Sequence, residues 1–212
     1  YEAIHKGQIN SNSKTVNGVL VNPHTGEILA MAGSPSYNPN NYKESNVEYF
    51  KNNTVSEQYE PGSTIKAISI IDALSIEDSL MNFDCEDGKY KLPGTNKVLN
   101  DHEAHNVLSL EEILIYSSNI GVSKVSNLLG QKKIYTSLKK FGLGSKTGIA
   151  LPAEASGVLR NLDEWSKISC TMASIGQEIS VTNIQLAMIY SAIANNGYLL
   201  KPLLVHSIDG FN

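Results

Sequence analysis

The stretch from Pro61 to Ile76, PGSTIKAISIIDALSI, constrains the fold more than any other part of the chain. Ile65, Ala67, Ile68, Ile70, Ile71, Ala73 and Leu74 cover most of a helical circumference, and a helix apolar on nearly every side has to be wrapped by the rest of the molecule. Proline beside glycine just before the first turn marks its start. The sequence places one full charge, Lys66, in this helix before Asp72, three residues after Ser63. Residues three apart share a helix face, so the ammonium is within reach of the serine hydroxyl. A capped helix with a solvated lysine is the ordinary origin of Ser-x-x-Lys, but this helix offers no polar face to carry one.

Serine is a weak nucleophile and needs a base to take its proton as it attacks a carbonyl. Burial at the positive end of a helix lowers a lysine pKa towards a neutral, proton-accepting amine. The same helix end presents N–H groups to an oxyanion. Ser63 and Lys66 are therefore candidate nucleophile and base of an acyl transfer. Farther along, Ser117-Ser118-Asn119 stands between two helical patterns. There the Ser117 hydroxyl is placed to relay a proton to a leaving amine, and the Asn119 amide to hold a peptide carbonyl. The same triplet serves equally well as the N-cap of the following helix.

Residues 17–34 read as a β-hairpin, with Val19-Leu20-Val21 and Ile28-Leu29-Ala30-Met31 joined by Asn22-Pro23-His24-Thr25-Gly26. Residues 35–53 read as a surface loop and 77–107 as irregular or weakly stranded. Helical patterns recur at about 109–116, 119–130, 131–141, 163–175 and 182–195, the first opened by a Ser109/Glu112 capping box. The segment YLLKPLLVHSI reads as the approach to another strand. A net charge of −4 gives no basic footprint, which sets nucleic acid aside as a partner. No run approaches the roughly 20 apolar residues of a membrane span. Cys85 and Cys170 lack any C-x-x-C partner and read as free thiols.

Ser-x-x-Lys followed by Ser-x-Asn and Lys-Thr-Gly is the set found in β-lactamases and penicillin-binding proteins. The blocks VNPHTGEILAMAGSPSYNPN, EPGSTIK, YSSNIGVSKV, FGLGSKTGIALPAE and ASIGQEISVTNIQLAMIYSAIANNG follow one another in an order that resembles the transpeptidase domain of class B penicillin-binding proteins over nearly all 212 residues. Ser-Ser-Asn with the preceding DHEAH is closer to the cell-division type. The resemblance implies an α+β penicillin-recognising serine enzyme fold, an antiparallel sheet flanked by helices. It implies an acylated Ser63, a general base at Lys66, a proton-relaying Ser117 and a substrate-binding Asn119, with no metal or organic cofactor. Peptidoglycan stem peptides are the implied substrates and β-lactams the inhibitors, with a membrane-embedded glycosyltransferase and division proteins as partners. The implied location is the extracytoplasmic face of the membrane, reached through an N-terminal anchor helix absent from this chain.

Lys146-Thr147-Gly148 has the letters of the third motif, but it sits in a Gly- and Pro-rich connector without strand alternation. It reads as a decoy. The true motif is expected on a strand beyond Asn212, so that residues 1–212 form one transpeptidase domain truncated before it and short of its C-terminal strands. Alternatives of the same fold are a D,D-carboxypeptidase, a serine β-lactamase, or a β-lactam sensor or binding fragment without catalysis. His102, Glu103 and His105, with Asp101 beside them, have the residue types of a metal site but no third ligand at a familiar spacing, and read as exposed loop. Glu178 reads as a helix-entry or surface residue and Trp165 as a core anchor at a helix start. Tyr37, Tyr42, Tyr49, Phe50 and Tyr59 are expected along one edge of the cleft.

Overall fold

The computed structural model describes residues 1–76 and 81–207. The first four residues of the weakly stranded segment and Ile208, at the end of the C-terminal strand approach, lie outside them. Along the chain run α1 (Glu2–Ser11), β1 (Val16–Val21), β2 (Ile28–Ser34), α2 (Asn53–Ser56), α3 (Lys66–Leu74), β3 (Asn82–Asp84), β4 (Lys89–Lys91) and β5 (Val98–Asn100). There follow β6 (Val107–Ser109), α4 (Leu110–Ile115), α5 (Asn119–Leu129), α6 (Gln131–Lys140), α7 (Ser169–Ser174) and α8 (Asn183–Ala194), with short 3₁₀ turns interspersed. The chain divides into two compact units, one of residues 1–59, 141–157 and 181 onwards, the other of 60–140 and 158–180.

The first unit is built on the hairpin. β1 and β2 pair antiparallel from Val16 opposite Ser34 to Leu20 opposite Ala30, with a register shift before Val21. The turn closes through Gly26 N–H donating to Asn22 O at 2.9 Å, and Gly26 takes φ 77°, open to glycine at no steric cost. One face of the hairpin, with Val19, Val21, Ile28 and Met31, packs on Val55 of α2, Ile149, and Ile184 and Met188 of α8. Leu20 points the other way and is exposed, as the two-residue period of a strand requires, and Leu29, the extra residue at the register shift, is exposed as well. α8 starts at a capping box between Thr182 and Gln185. Residues 35–53 form two 3₁₀ turns in which Asn38 and Asn46 cap, and Tyr37, Tyr42 and Phe50 meet edge to face. The residues before the hairpin, for which the sequence had suggested no element, form α1.

The second unit carries a core of Ile70 and Ala73 from α3, Ile113 from α4, Ile120, Val122 and Val125 from α5, and Met172 from α7. Lys66 and Ile68 are 1% exposed, whereas Ile71 at 37% and Leu74 at 56% open the last turn of α3. The helix is thus buried most completely at the end that carries Lys66. Residues 81–109 form two antiparallel pairs, β3 with β6 and β4 with β5, each of three residues per strand. The sheet read from sequence is therefore met as separate two-stranded antiparallel pairs. α7 is shorter than the 163–175 pattern, because an Asn161–Glu164 box closes a 3₁₀ turn at Leu162–Glu164 and the chain extends at Trp165 before the helix begins at Ser169. Trp165 is half-buried, donates its indole N–H to Arg160 O at 3.2 Å and meets Tyr135 edge to face. Cys85 and Cys170 are buried free thiols, and burial pushes both pKa values up.

Candidate active site

Gly62–Ile65 form a 3₁₀ turn that runs into α3, so Ser63 lies one turn ahead of the first fully helical residue, Lys66. Ser63 is exposed while Lys66 is 1% exposed. N–H groups in the first turn of a helix have no intrahelical acceptor and take their partners from outside the helix. The chain enters this turn under tight backbone control. Gly62 N–H donates to Gly176 O at 3.1 Å, and a Cβ built on Gly176 would overlap the backbone of Gly62. Gly176, at φ 76° and without room for a Cβ, has to be glycine where the backbones meet, and Gly62, at φ 56°, takes a conformation that favours one. Beside them, Glu178 N–H donates to Glu60 Oε1 at 3.0 Å. The Glu178 carboxylate accepts from Arg160 Nη2 at 2.5 Å and from Ser169 Oγ at 2.8 Å. Glu178 therefore braces the loop behind the Gly62–Ile65 turn, a more specific place than a surface role.

Lys66 does not spend its hydrogen bonds on Ser63. Its Nζ donates to Ser117 O at 2.5 Å and to Ser117 Oγ at 3.1 Å. Ser117 is presented by the turn between α4 and α5 at φ 53°, a left-handed conformation costly for a residue with a Cβ. That strain turns both the carbonyl and the hydroxyl of one residue towards one ammonium. Burial lowers the Lys66 pKa from 10.5 to about 8, with the negative charge of Asp101 acting in the opposite direction.

The capping reading of the Ser-Ser-Asn triplet is realised by its middle residue. Ser118 is the N-cap of α5, its Oγ accepting from Gly121 N–H at 2.8 Å. Asn119 opens the helix and donates Nδ2 to Asn100 O at 2.9 Å. Asp101 ties the triplet together. Its carboxylate accepts from Ser118 Oγ at 2.5 Å, from Asn119 N–H at 2.5 Å and from Ile120 N–H at 3.0 Å, against the positive end of α5. No role for Asp101 beyond its place beside His102 was legible in the sequence, because its partners lie 17–19 positions away and no short spacing reports them. His105 stacks on Tyr116 with ring centroids 4.3 Å apart.

The predicted site residues Ser63, Lys66, Ser117 and Asn119 all belong to the second unit, as does Asp101. Lys146-Thr147-Gly148 belongs to the first unit and lies on no strand. Glu154 Oε1 accepts from both N–H and hydroxyl of Thr147 at 2.6 Å, and Oε2 accepts from Gly148 N–H at 3.2 Å. Among the described residues no helix is long and apolar enough to cross a membrane.

Residues 17–210 match the family described as penicillin binding protein transpeptidase domain. The chain is 36% identical over 209 residues to a probable peptidoglycan D,D-transpeptidase, PbpC, of Pseudomonas aeruginosa, covering 97% of this chain and 36% of that protein. It is 33% identical over 213 residues to the peptidoglycan D,D-transpeptidase FtsI of Escherichia coli, covering 99% and 35%. It spans about a third of the length of these curated relatives. Among solved structures it is similar to a peptidoglycan glycosyltransferase from Burkholderia ambifaria, with a TM-score of 0.85 and 24% identity over all of this chain and 63% of the other. It is also similar to the TP domain of Burkholderia pseudomallei penicillin-binding protein 3, with a TM-score of 0.83 and 23% identity over 99% and 59%. These likenesses establish the α+β fold.

Proposed function

The chain belongs to the penicillin-binding protein transpeptidase domain family, and on that premise we propose that it is the acyl-transfer domain of a serine-type peptidoglycan D,D-transpeptidase. The observation that carries this reading is the buried Lys66, with a pKa of about 8 and both its hydrogen bonds on Ser117. A neutral amine has two N–H donors and one lone pair. With the donors engaged by Ser117 O and Oγ, the lone pair is the part left to receive the Ser63 proton.

Ser63 Oγ attacks the carbonyl carbon of a terminal D-Ala-D-Ala peptide bond and passes its proton to Lys66 Nζ. First-turn N–H groups beside Ser63 face the developing oxyanion. As the C–N bond breaks, the Ser117 hydroxyl donates its proton to the leaving D-alanine amine and is reprotonated from Lys66. The acyl group is now an ester on Ser63. An amine of a neighbouring stem peptide attacks that ester, its proton leaves by the same route in reverse, and Ser63 is restored. Asn119 holds the donor peptide by its amide. A β-lactam enters the same first step, and because its leaving amine stays tethered, the ester persists. We assign the domain to the extracytoplasmic face of the membrane. The Ser-Ser-Asn triplet and the FtsI relative favour a division role beside a glycosyltransferase and division proteins.

Intact-mass measurement after incubation with benzylpenicillin tests this. One adduct of the full penicillin mass, mapped to Ser63 and lost in Ser63→Ala with an unchanged melting temperature, is expected, since an exposed serine contributes little stability. A folded protein that forms no adduct would overturn the reading. Rapid release of hydrolysed penicillin would replace the cross-linker with a β-lactamase.

A further inference from the structure

We propose that the first unit holds a binding site for a small organic monocarboxylate, in a cavity of about 210 Å³ lined by Lys146, Lys201, Phe141, Met188, Leu199 and Gln185. The Lys-Thr-Gly of the connector, which lies on no strand, thereby has a role of its own. The two lysines share one rim: a Cβ built on Gly148 would stand 3.3 Å from Lys201 Cε, so the Lys201 stem lies along the Lys146–Gly148 turn. Opposite them the lining is apolar. Met188 is 2% exposed, and Leu199 lies close enough to Gly142 that a built Cβ would be 3.4 Å from its Cδ2.

Neither lysine has an acid partner among the described residues, whose ion pairs involve Lys124, Lys133, Arg160 and His206. The one carboxylate at this turn, Glu154, has its oxygens occupied by Thr147 N–H, Thr147 Oγ1 and Gly148 N–H. The polar floor is also occupied, since Gln185 Nε2 donates to Ser145 O at 2.8 Å and Ser156 O at 2.7 Å. Among the described residues the rim is left with two uncompensated positive charges over an apolar recess. An anion with an apolar body complements that arrangement, and a bare inorganic anion or a neutral hydrocarbon meets only half of it. Size narrows the class further. A cavity of about 150 Å³ holds a benzene ring and drug-sized pockets run from roughly 300 Å³, so 210 Å³ suits a single ring or a short branched chain bearing one carboxylate.

The test is a titration of the ¹⁵N-labelled protein with benzoate at constant ionic strength, beside benzyl alcohol and inorganic phosphate. Saturable shifts at the amides of Gly142, Thr147 and Gln185 are expected with benzoate. Binding is expected to be about tenfold weaker with benzyl alcohol, and about tenfold weaker for benzoate in Lys146→Gln/Lys201→Gln, with acylation of Ser63 unchanged. Both lysines are exposed, so the double variant keeps the fold; should its melting temperature fall, the comparison of benzoate with benzyl alcohol on the unaltered protein decides alone. No saturable shift at these amides, equal binding of benzyl alcohol, or equal binding of phosphate would overturn the proposal.

Discussion

Replacing Asp101 by Asn separates two effects that its carboxylate combines. The substitution keeps the shape and removes the charge. In the native protein Lys66 has a pKa of about 8, so about one molecule in ten carries the neutral amine at pH 7 and half at pH 8. Asp101 raises that pKa, so its neutralisation moves the Lys66 midpoint down and enlarges the neutral fraction at pH 7. Taken alone, this speeds acylation at neutral pH. Against it stands the loss of a charged acceptor for Ser118 Oγ, Asn119 N–H and Ile120 N–H. Hydrogen bonds to charged groups contribute about 1.5–3 kcal/mol, against roughly 1 kcal/mol for neutral ones, and the carboxylate also complements the N-terminus of α5 by about 0.3–1 kcal/mol. A loss of about 1–3 kcal/mol in holding the triplet lowers the plateau acylation rate by about fivefold to 150-fold. The assay is the second-order rate of acylation by a fluorescent penicillin as a function of pH, which reports the free enzyme. A lower plateau whose acid limb has moved below the native midpoint is expected. A midpoint that stays in place or rises would refute the coupling of Asp101 to Lys66, and an unchanged plateau would refute its hold on the triplet.

Gly176→Ala is expected to destabilise the protein by about 2–4 kcal/mol and to lower acylation more than tenfold, because a Cβ there overlaps the Gly62 backbone at a positive φ; a native melting temperature and acylation rate would show that the nucleophile turn is not braced by this contact. Gln185→Leu removes the donors to Ser145 O and Ser156 O and the acceptor for Thr182 N–H, and should cost about 1–3 kcal/mol in a thermal melt while leaving the rate of Ser63 acylation intact. A fall in acylation without a fall in melting temperature would contradict that division of roles.

The elements whose causes are local were legible in the sequence. The hairpin followed from two short β-rich runs and a turn rich in Asn, Pro and Gly, and its structural register runs through those same residues. Ser109/Glu112 announced α4, and the all-round apolar pattern announced a buried α3 with Ser63 and Lys66 at its start. Where a competing local signal intervened, the pattern misled: the apolar period across 163–175 concealed the Asn161–Glu164 box that delays α7 to Ser169. What the tertiary structure alone decided are the pairings between residues far apart in the chain. Lys66 turns to Ser117 rather than to the nearer Ser63, Asp101 gathers Ser118, Asn119 and Ile120, and Gly176 meets Gly62. A side chain three positions away is close in sequence, but a buried ammonium needs acceptors that can replace water, and only the folded chain supplies a carbonyl and a hydroxyl held together by one strained residue. The sequence marked Ser63, Lys66 and Ser117 as candidates; packing determined that the lysine holds Ser117 and how readily it gives up its proton.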